Sequence, residues 1–182
     1  MARFKYLNKE DLAPEHREHM RDINLTRLLF HSPLMARASN AGAMYIRNQS
    51  KLDPRLREMA IIQVGYLARS VYEYAHHLKI GLDAGVSEAD IRALADDTAG
   101  KPTSLDALTK AVLKAARELT AQSDLSDETF AILRAHLDDE RLIDLLHAIC
   151  AYNSTVRMLA ALRIDLEDDY APYLAKFPLP KV

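Results

Sequence analysis

Apolar residues recur three and four positions apart along most of the chain, and no stretch longer than a few residues alternates apolar and polar positions. This spacing is typical of α-helices and excludes a half-buried sheet. Four of the seven prolines fall near the start of a helical pattern, where a missing N–H costs little: Pro14, Pro33, Pro54 and Pro102. The sequence therefore predicts one all-α, single-domain multi-helix bundle over residues 1–182. We expect helices at 15–21, 24–30, 33–48, 54–68, 71–84, 87–96, 104–122, 126–136 and 139–163.

Composition narrows the class of protein. With 182 residues, of which 49% are hydrophobic and 27% charged, the chain suits a single globular domain. One cysteine excludes an intrachain disulfide framework and a cysteine-rich zinc site. A net charge of −2 gives no reason to expect nucleic acid or a membrane surface as partner. No signal peptide or membrane span is evident, so we expect a soluble cytoplasmic protein. We expect the proline-rich tail, 171–182, to lie extended on the surface or on a neighbouring subunit.

The predicted helix 54–68 is apolar on two opposite sides, which is typical of a central helix that is buried all round. Glu58 lies on one of these apolar sides, near Ile61 and Ile62. A buried carboxylate must find a partner or stay neutral with a raised pKa. Alternatively, Glu58 is a first-turn glutamate that the helix dipole stabilises.

The predicted helix 71–84 places Glu73 and His77 four residues apart, so the two side chains can touch. His77 belongs to the inward side, whereas His76 shares with Tyr72 a side that we expect to be wetter. Ser70 and Glu73 also fit a capping box, in which both side chains merely satisfy N–H groups at the helix start. The capping role and a functional role do not exclude each other.

The predicted helix 139–163 has Asn153 in the middle of its apolar stripe, where a hydrogen bond within the core is the commoner explanation. We expect His147 to be a surface residue and Cys150 to be a small packed thiol at the edge of the stripe. Glu58, Glu73 and His77 could in principle bind a metal ion. Carboxylates and imidazoles on neighbouring helices more often bond to one another, so no metal ligand is predicted.

The order Glu58, eleven residues, Ser70, two residues, Glu73, three residues, His77 resembles a motif of the carboxymuconolactone decarboxylase and alkylhydroperoxidase D-like superfamily. Redox members of that superfamily have the pattern Glu-x11-Cys-x2-Cys-x3-His. The string SVYEYAHH, with Tyr72 and Tyr74 around the glutamate, is similar to the cysteine-free branch. The resemblance covers about residues 24–167 and implies an all-α, alkylhydroperoxidase D-like, oligomeric fold.

The resemblance also implies roles for the motif residues. Glu58 and His77 stand where redox members keep their proton-relay pair, but Ser70 and Glu73 stand where those members have two cysteines. Serine and glutamate cannot run a dithiol–disulfide cycle. The decarboxylase branch instead implies loss of CO₂ from a small carboxylated or lactone substrate such as γ-carboxymuconolactone, without a cofactor.

Under this interpretation His77 is the general acid or base, and Glu58 or Glu73 orients it. Ser70, Tyr72, Tyr74 and Asn153 are the further candidates for the pocket. These assignments favour an enzyme, of the carboxy-lyase class.

Two alternatives remain open. The superfamily name implies a peroxiredoxin-type antioxidant, which would have to depend on Cys150. A non-catalytic helical assembly or ligand binder would instead have a closed interior at Glu58 and His77, with no pocket reaching them. Family members generally form homo-oligomers, so we expect a small-molecule substrate and further copies of this chain as the partners, with the segment before residue 24 and the tail as elements exchanged between subunits.

Overall fold

A computed structural model of the chain describes residues 1–180, and this part contains ten α-helices and no strand. The all-α, single-domain prediction is therefore confirmed. The helices are α1 (Pro14–Arg17), α2 (Asn24–Leu29), α3 (Pro33–Asn48), α4 (Pro54–Leu67), α5 (Val71–Asp83), α6 (Glu88–Thr98), α7 (Ala107–Ala121), α8 (Asp127–His136), α9 (Asp139–Leu162) and α10 (Ala171–Lys176). Within residues 1–180, no helix has the length and hydrophobicity needed to cross a bilayer.

Helix α4 is the centre of the bundle, as its two apolar sides predict. It packs against α5, α7 and α9, and every residue from 56 to 65 is buried. One hydrophobic cluster fills the space between α4, α7, α8 and α9, with Leu145 and Ile149 among its fully buried members. A second cluster lies between α4, α5 and α6 and includes Met59 and Leu78. Polar residues between positions 56 and 65 of α4 are therefore enclosed on every side of the helix.

Two glycines allow α4 and α5 to approach closely. A Cβ atom on Gly65 would lie 3.1 Å from the backbone of Tyr74, so the helix backbones nearly touch there. A Cβ on Gly81 would lie 2.9 Å from Cδ1 of Ile62 and 3.5 Å from Cβ of Glu58. Gly81 thus removes bulk beside Glu58, on the face of α5 that also carries His77.

The prediction of an extended tail is wrong for residues 171–176, which form α10 and pack against α5. Pro172 lies in the first turn of α10, where its missing N–H is not needed. Phe177 follows the helix and is buried in the second cluster. Residues 181 and 182 lie outside the described residues.

The N-terminal segment also packs on its own chain. The backbone N–H of Arg3 donates to the carbonyl of Leu162 at 2.9 Å, and that of Asn24 donates to Glu167 Oε1 at 2.6 Å. Helix α3, by contrast, buries only Ala36 and Ile46 along its length. Most of α3 is therefore not packed into the core of the bundle.

Candidate active site

His77 lies between two carboxylates that come from two helices. Its Nδ1 is 2.6 Å from Oε2 of Glu58 on α4, and its Nε2 is 3.0 Å from Oε1 of Glu73 on α5. All three side chains are buried. Sequence reasoning left open whether Glu58 or Glu73 is the partner of His77, and the geometry gives it both. Glu73 reaches it through the helix period, and Glu58 through the close approach of α4 to α5.

Arg57 lies next to Glu58, so four charged side chains form one row: Arg57, Glu58, His77 and Glu73. Sequence reasoning missed Arg57. Its Nε donates to Oε1 of Glu58 at 2.9 Å, and its Nη1 donates to the carbonyls of Ile46 and Arg47 near the end of α3. A buried arginine directly beside a buried glutamate was the available signal, because a charged residue inside a central helix needs an opposite charge. Arg57 thereby connects α3 to the carboxylate that holds His77.

The charges in this row favour a protonated His77. Burial by itself would lower the pKa of the imidazole, but the electrostatic influence of Tyr152, the charge of Glu58 and the bonds to Glu58 and Glu73 raise it well above the ordinary value. Burial would raise the pKa of Glu58, yet His77 and Arg57 together lower it. With His77 protonated, the two cations, Arg57 and His77, balance Glu58 and Glu73, so the row is neutral as a whole.

A cavity of about 560 Å³ reaches this row from the side of α3. Its walls come from α2, α3, α5 and α9, and they include Glu73, His77 and Tyr72. Glu58 does not line the cavity and lies behind the imidazole. Tyr152, from α9, stands edge-on to the His77 ring with the ring centres 4.8 Å apart. The arrangement therefore presents an acid–base pair, Glu73 and His77, at the cavity wall, with Glu58 and Arg57 supporting it from inside.

His76 is buried, which makes the prediction of a wetter side wrong. Its ring is stacked between Tyr72, at 4.2 Å, and Tyr170, at 3.6 Å, and its Nε2 is 2.8 Å from Oε2 of Glu167. The Tyr72 hydroxyl donates to Oε1 of Glu167 at 3.0 Å. The helix period of α5 could not reveal this burial, because the covering residues come from the C-terminal segment.

Three of the predicted pocket residues lie away from the cavity. Ser70 directly precedes α5, and its side chain makes no capping bond, so the prediction of a capping box is wrong: the carboxylate of Glu73 faces His77 instead. Tyr74 packs in the second cluster, where its ring meets Tyr66. Asn153 donates to the Thr120 hydroxyl at 3.0 Å, which is the expected cross-link within the core.

Cys150 and His147 are both exposed on α9. The expected surface position of His147 is confirmed, although the residue also borders the cavity. The packed position expected for Cys150 is wrong, since its thiol lies on the exposed side of the helix and does not line the cavity.

The donor atoms near His77 are engaged with one another. Both ring nitrogens face a carboxylate, which leaves no free imidazole lone pair to coordinate a metal ion. Among residues 1–180, no group of three or more His, Cys, Asp or Glu side chains is arranged to hold a metal.

Residues 33–118 match the model of the Carboxymuconolactone decarboxylase family. No curated protein matches the chain. Among solved structures, the alkylhydroperoxidase AhpD core of an uncharacterized peroxidase-related protein from Ralstonia eutropha JMP134 is 19% identical, with a TM-score of 0.77 and 98% of each chain covered. The debrominase Bmp8, as a cysteine-to-alanine variant in complex with 2,3,4-tribromopyrrole, is 16% identical, with a TM-score of 0.79 over 97% of this chain and 100% of that one.

A protein of unknown function from Agrobacterium tumefaciens is 22% identical, with a TM-score of 0.67 over 77% of this chain and 95% of that one. At these identities the three structures are evidence for the fold, and the family match covers the helices that carry Glu58, Glu73 and His77. The family match over residues 33–118 and the shared fold together support a place in the carboxymuconolactone decarboxylase and alkylhydroperoxidase D-like superfamily.

Proposed function

We propose that this chain is an enzyme that removes CO₂ from a small carboxylated or lactone substrate, or performs related acid–base chemistry, without a cofactor. One observation carries the proposal: a buried histidine with a raised pKa lies between two carboxylates, and one of these, Glu73, opens onto a cavity. A histidine that stays protonated near neutral pH beside a cavity can donate a proton to a molecule bound there.

The proposed reaction needs electrostatic stabilisation of a developing anion and a source of one proton. The bond between the substrate carbon and its carboxylate breaks, CO₂ leaves, and the electron pair delocalises into the conjugated substrate. The positive charge of His77 stabilises the developing anion. The carbon then takes a proton from the His77–Glu73 pair, and solvent that enters the open cavity restores that proton.

The supporting residues have different tasks. Glu58 holds Nδ1 of His77 and keeps the imidazole charged, and it does not line the cavity. Glu73 is positioned to pass a proton between Nε2 of His77 and the substrate. The cavity also weakens the non-catalytic alternative, because that hypothesis requires a closed interior at this point.

The test is CO₂ release from γ-carboxymuconolactone, with deuterium incorporation into the product in D₂O. We expect His77→Gln and Glu73→Gln to reduce turnover by about 10²- to 10⁴-fold, the usual contribution of acid–base catalysis. His136→Gln, an exposed histidine on α8, is the matched control and should keep full activity. Full turnover by folded His77→Gln protein would overturn the role of His77.

The antioxidant alternative depends on Cys150, which lies outside the cavity. Hydroperoxide consumption by wild-type and Cys150→Ser protein distinguishes the two functions. We expect equal, low consumption by both proteins. A loss of substantial consumption in Cys150→Ser would support the thiol peroxidase instead.

We also propose that the protein forms a homo-oligomer in the cytoplasm. Large apolar side chains are exposed on α3 and α9, including Leu34 at 72% and Ile143 at 64% of their surface. Covering such residues favours association of copies. Light scattering on wild-type and Ile143→Lys protein tests this, and a monomeric wild type would contradict the proposal.

A further inference from the structure

The outer part of the cavity carries two arginines that the proposed chemistry does not use. Arg21 comes from the segment between α1 and α2, and Arg47 comes from the last turn of α3. Within residues 1–180, neither guanidinium forms a hydrogen bond or an ion pair. Other arginines near the core do: Arg55 pairs with Asp90, and Arg117 pairs with Asp97.

The two arginines are close enough to affect each other. Burial, and then the positive charge of Arg47, lower the pKa of Arg21. Arg21 is exposed and Arg47 is half-buried, so water screens part of their repulsion, and an anion held between the two guanidinium groups would remove the rest. The one carboxylate among the described lining residues is Glu73, and its Oε1 already faces His77. The protein itself therefore supplies no counter-ion for this pair.

The rest of the wall indicates the kind of anion. The lining is largely apolar and includes the rings of Tyr72, Tyr152 and Tyr170. A volume of about 560 Å³ suits a small organic molecule. Guanidinium groups bind carboxylates through paired, charge-assisted hydrogen bonds. A flat organic acid fits both the charge and the surface.

We propose that Arg21 and Arg47 form a carboxylate subsite, which holds an acid group of the substrate that the reaction does not remove. This proposal adds a binding site to the proposed function, and it rests on that function in treating the bound acid as a substrate. An arginine bound to the leaving carboxylate would stabilise the charge that CO₂ loss must disperse, and so would oppose the reaction. The arginines are useful when they hold a second carboxylate and direct the leaving one towards Glu73 and His77.

Direct binding tests the subsite without turnover. Isophthalate, a planar dicarboxylate, is titrated into the full chain by calorimetry, with uncharged isophthalamide as the matched ligand. We expect isophthalate to bind and isophthalamide to bind at least about tenfold more weakly. Arg21→Gln and Arg47→Gln should each weaken isophthalate binding by about tenfold, and Arg47→Lys by less, since it keeps the charge.

Arg37→Gln is the matched control, because Arg37 also lies on α3, is exposed and does not line the cavity. It should bind isophthalate as wild type does. Wild type that fails to bind isophthalate, or arginine variants that bind it unchanged, would overturn the subsite.

Failure of the subsite and failure of the proposed function give different results. If isophthalate binding depends on the arginines but no CO₂ is released, the subsite is supported and the decarboxylase function is contradicted. If CO₂ is released and KM is unchanged in Arg21→Gln and Arg47→Gln, the subsite is contradicted and the decarboxylase function is supported. If both hold, KM for the substrate should rise in these variants more than kcat falls.

Discussion

Oε2 of Glu58 on α4 lies 2.6 Å from Nδ1 of His77 on α5. Both side chains are buried, and Arg57 supplies the balancing charge behind Glu58. A change of either partner should therefore lower the stability of the fold as well as the proposed activity, because it leaves a buried charge without its counterpart.

The pH dependence of stability should report this contact. Because the pKa of His77 is raised in the folded protein, its contribution is complete below the unfolded value of 6.5 and is lost as the pH rises towards the folded value. We expect the free energy of unfolding to fall above pH 6.5, with a slope of up to about 1.4 kcal/mol per pH unit. Urea unfolding between pH 5.5 and pH 9 measures the slope.

Glu58→Gln should make that slope flatter and lower the free energy of unfolding by about 3 kcal/mol below pH 6.5. His136→Gln, which changes an exposed histidine, should leave the slope as it is in wild type. A slope that stays unchanged in Glu58→Gln would show that the glutamate does not hold the charge of His77.

Arg57→Lys should be destabilising although it keeps the charge. The planar guanidinium bonds at once to Glu58 and to the carbonyls of Ile46 and Arg47, which a lysine ammonium cannot reproduce in the same directions. We expect a loss of about 2 kcal/mol, measured by urea unfolding. Arg37→Lys on the exposed side of α3 is the control, and equal stability of the two variants would argue against the anchoring role.

Glu167→Gln should loosen the C-terminal segment. The carboxylate accepts from the Asn24 backbone and the Tyr72 hydroxyl, and it faces His76. Burial would raise the pKa of Glu167, but the bonds to His76 and Asn24 lower it, so this stabilisation is present above pH 4.5 and is lost as the pH falls through the folded value.

At neutral pH we expect Glu167→Gln to cost about 1–2 kcal/mol and to increase amide hydrogen exchange in residues 168–177. Glu128→Gln, which removes an exposed partner of Lys114, should change neither quantity measurably. Unchanged exchange in Glu167→Gln would mean that the packing of α10 holds the segment alone.

Gly65→Ala should lower the free energy of unfolding by about 1–3 kcal/mol, because the new methyl group would press on the backbone of Tyr74 and push α5 away from α4. Gly42→Ala is the opposite case within the same chain. Its Cβ would meet Nε2 of His147 at an ordinary 3.9 Å, so it should gain about 0.5–1 kcal/mol from helix propensity. Thermal and urea unfolding of the pair give the comparison, and similar shifts in both variants would contradict the close approach.

The helices, the central position of α4 and the neighbouring pair Glu73 and His77 were predictable from the sequence. These features depend on local periodicity, which repeats every few residues and is visible in the chain itself. The spacing from Glu58 to His77 also indicated the superfamily. The acid–base chemistry proposed for the motif thus came from residues within twenty positions of one another.

Only the tertiary structure decided the surroundings of that motif. The burial of His76 depends on Glu167 and Tyr170, which lie about ninety residues further along the chain, and the cavity depends on how α3 stands away from α9. Arg21 and Arg47 look like ordinary surface arginines until the fold brings them to one wall. Such contacts join residues that are distant in sequence, and no period within a single helix encodes which distant segment will cover it.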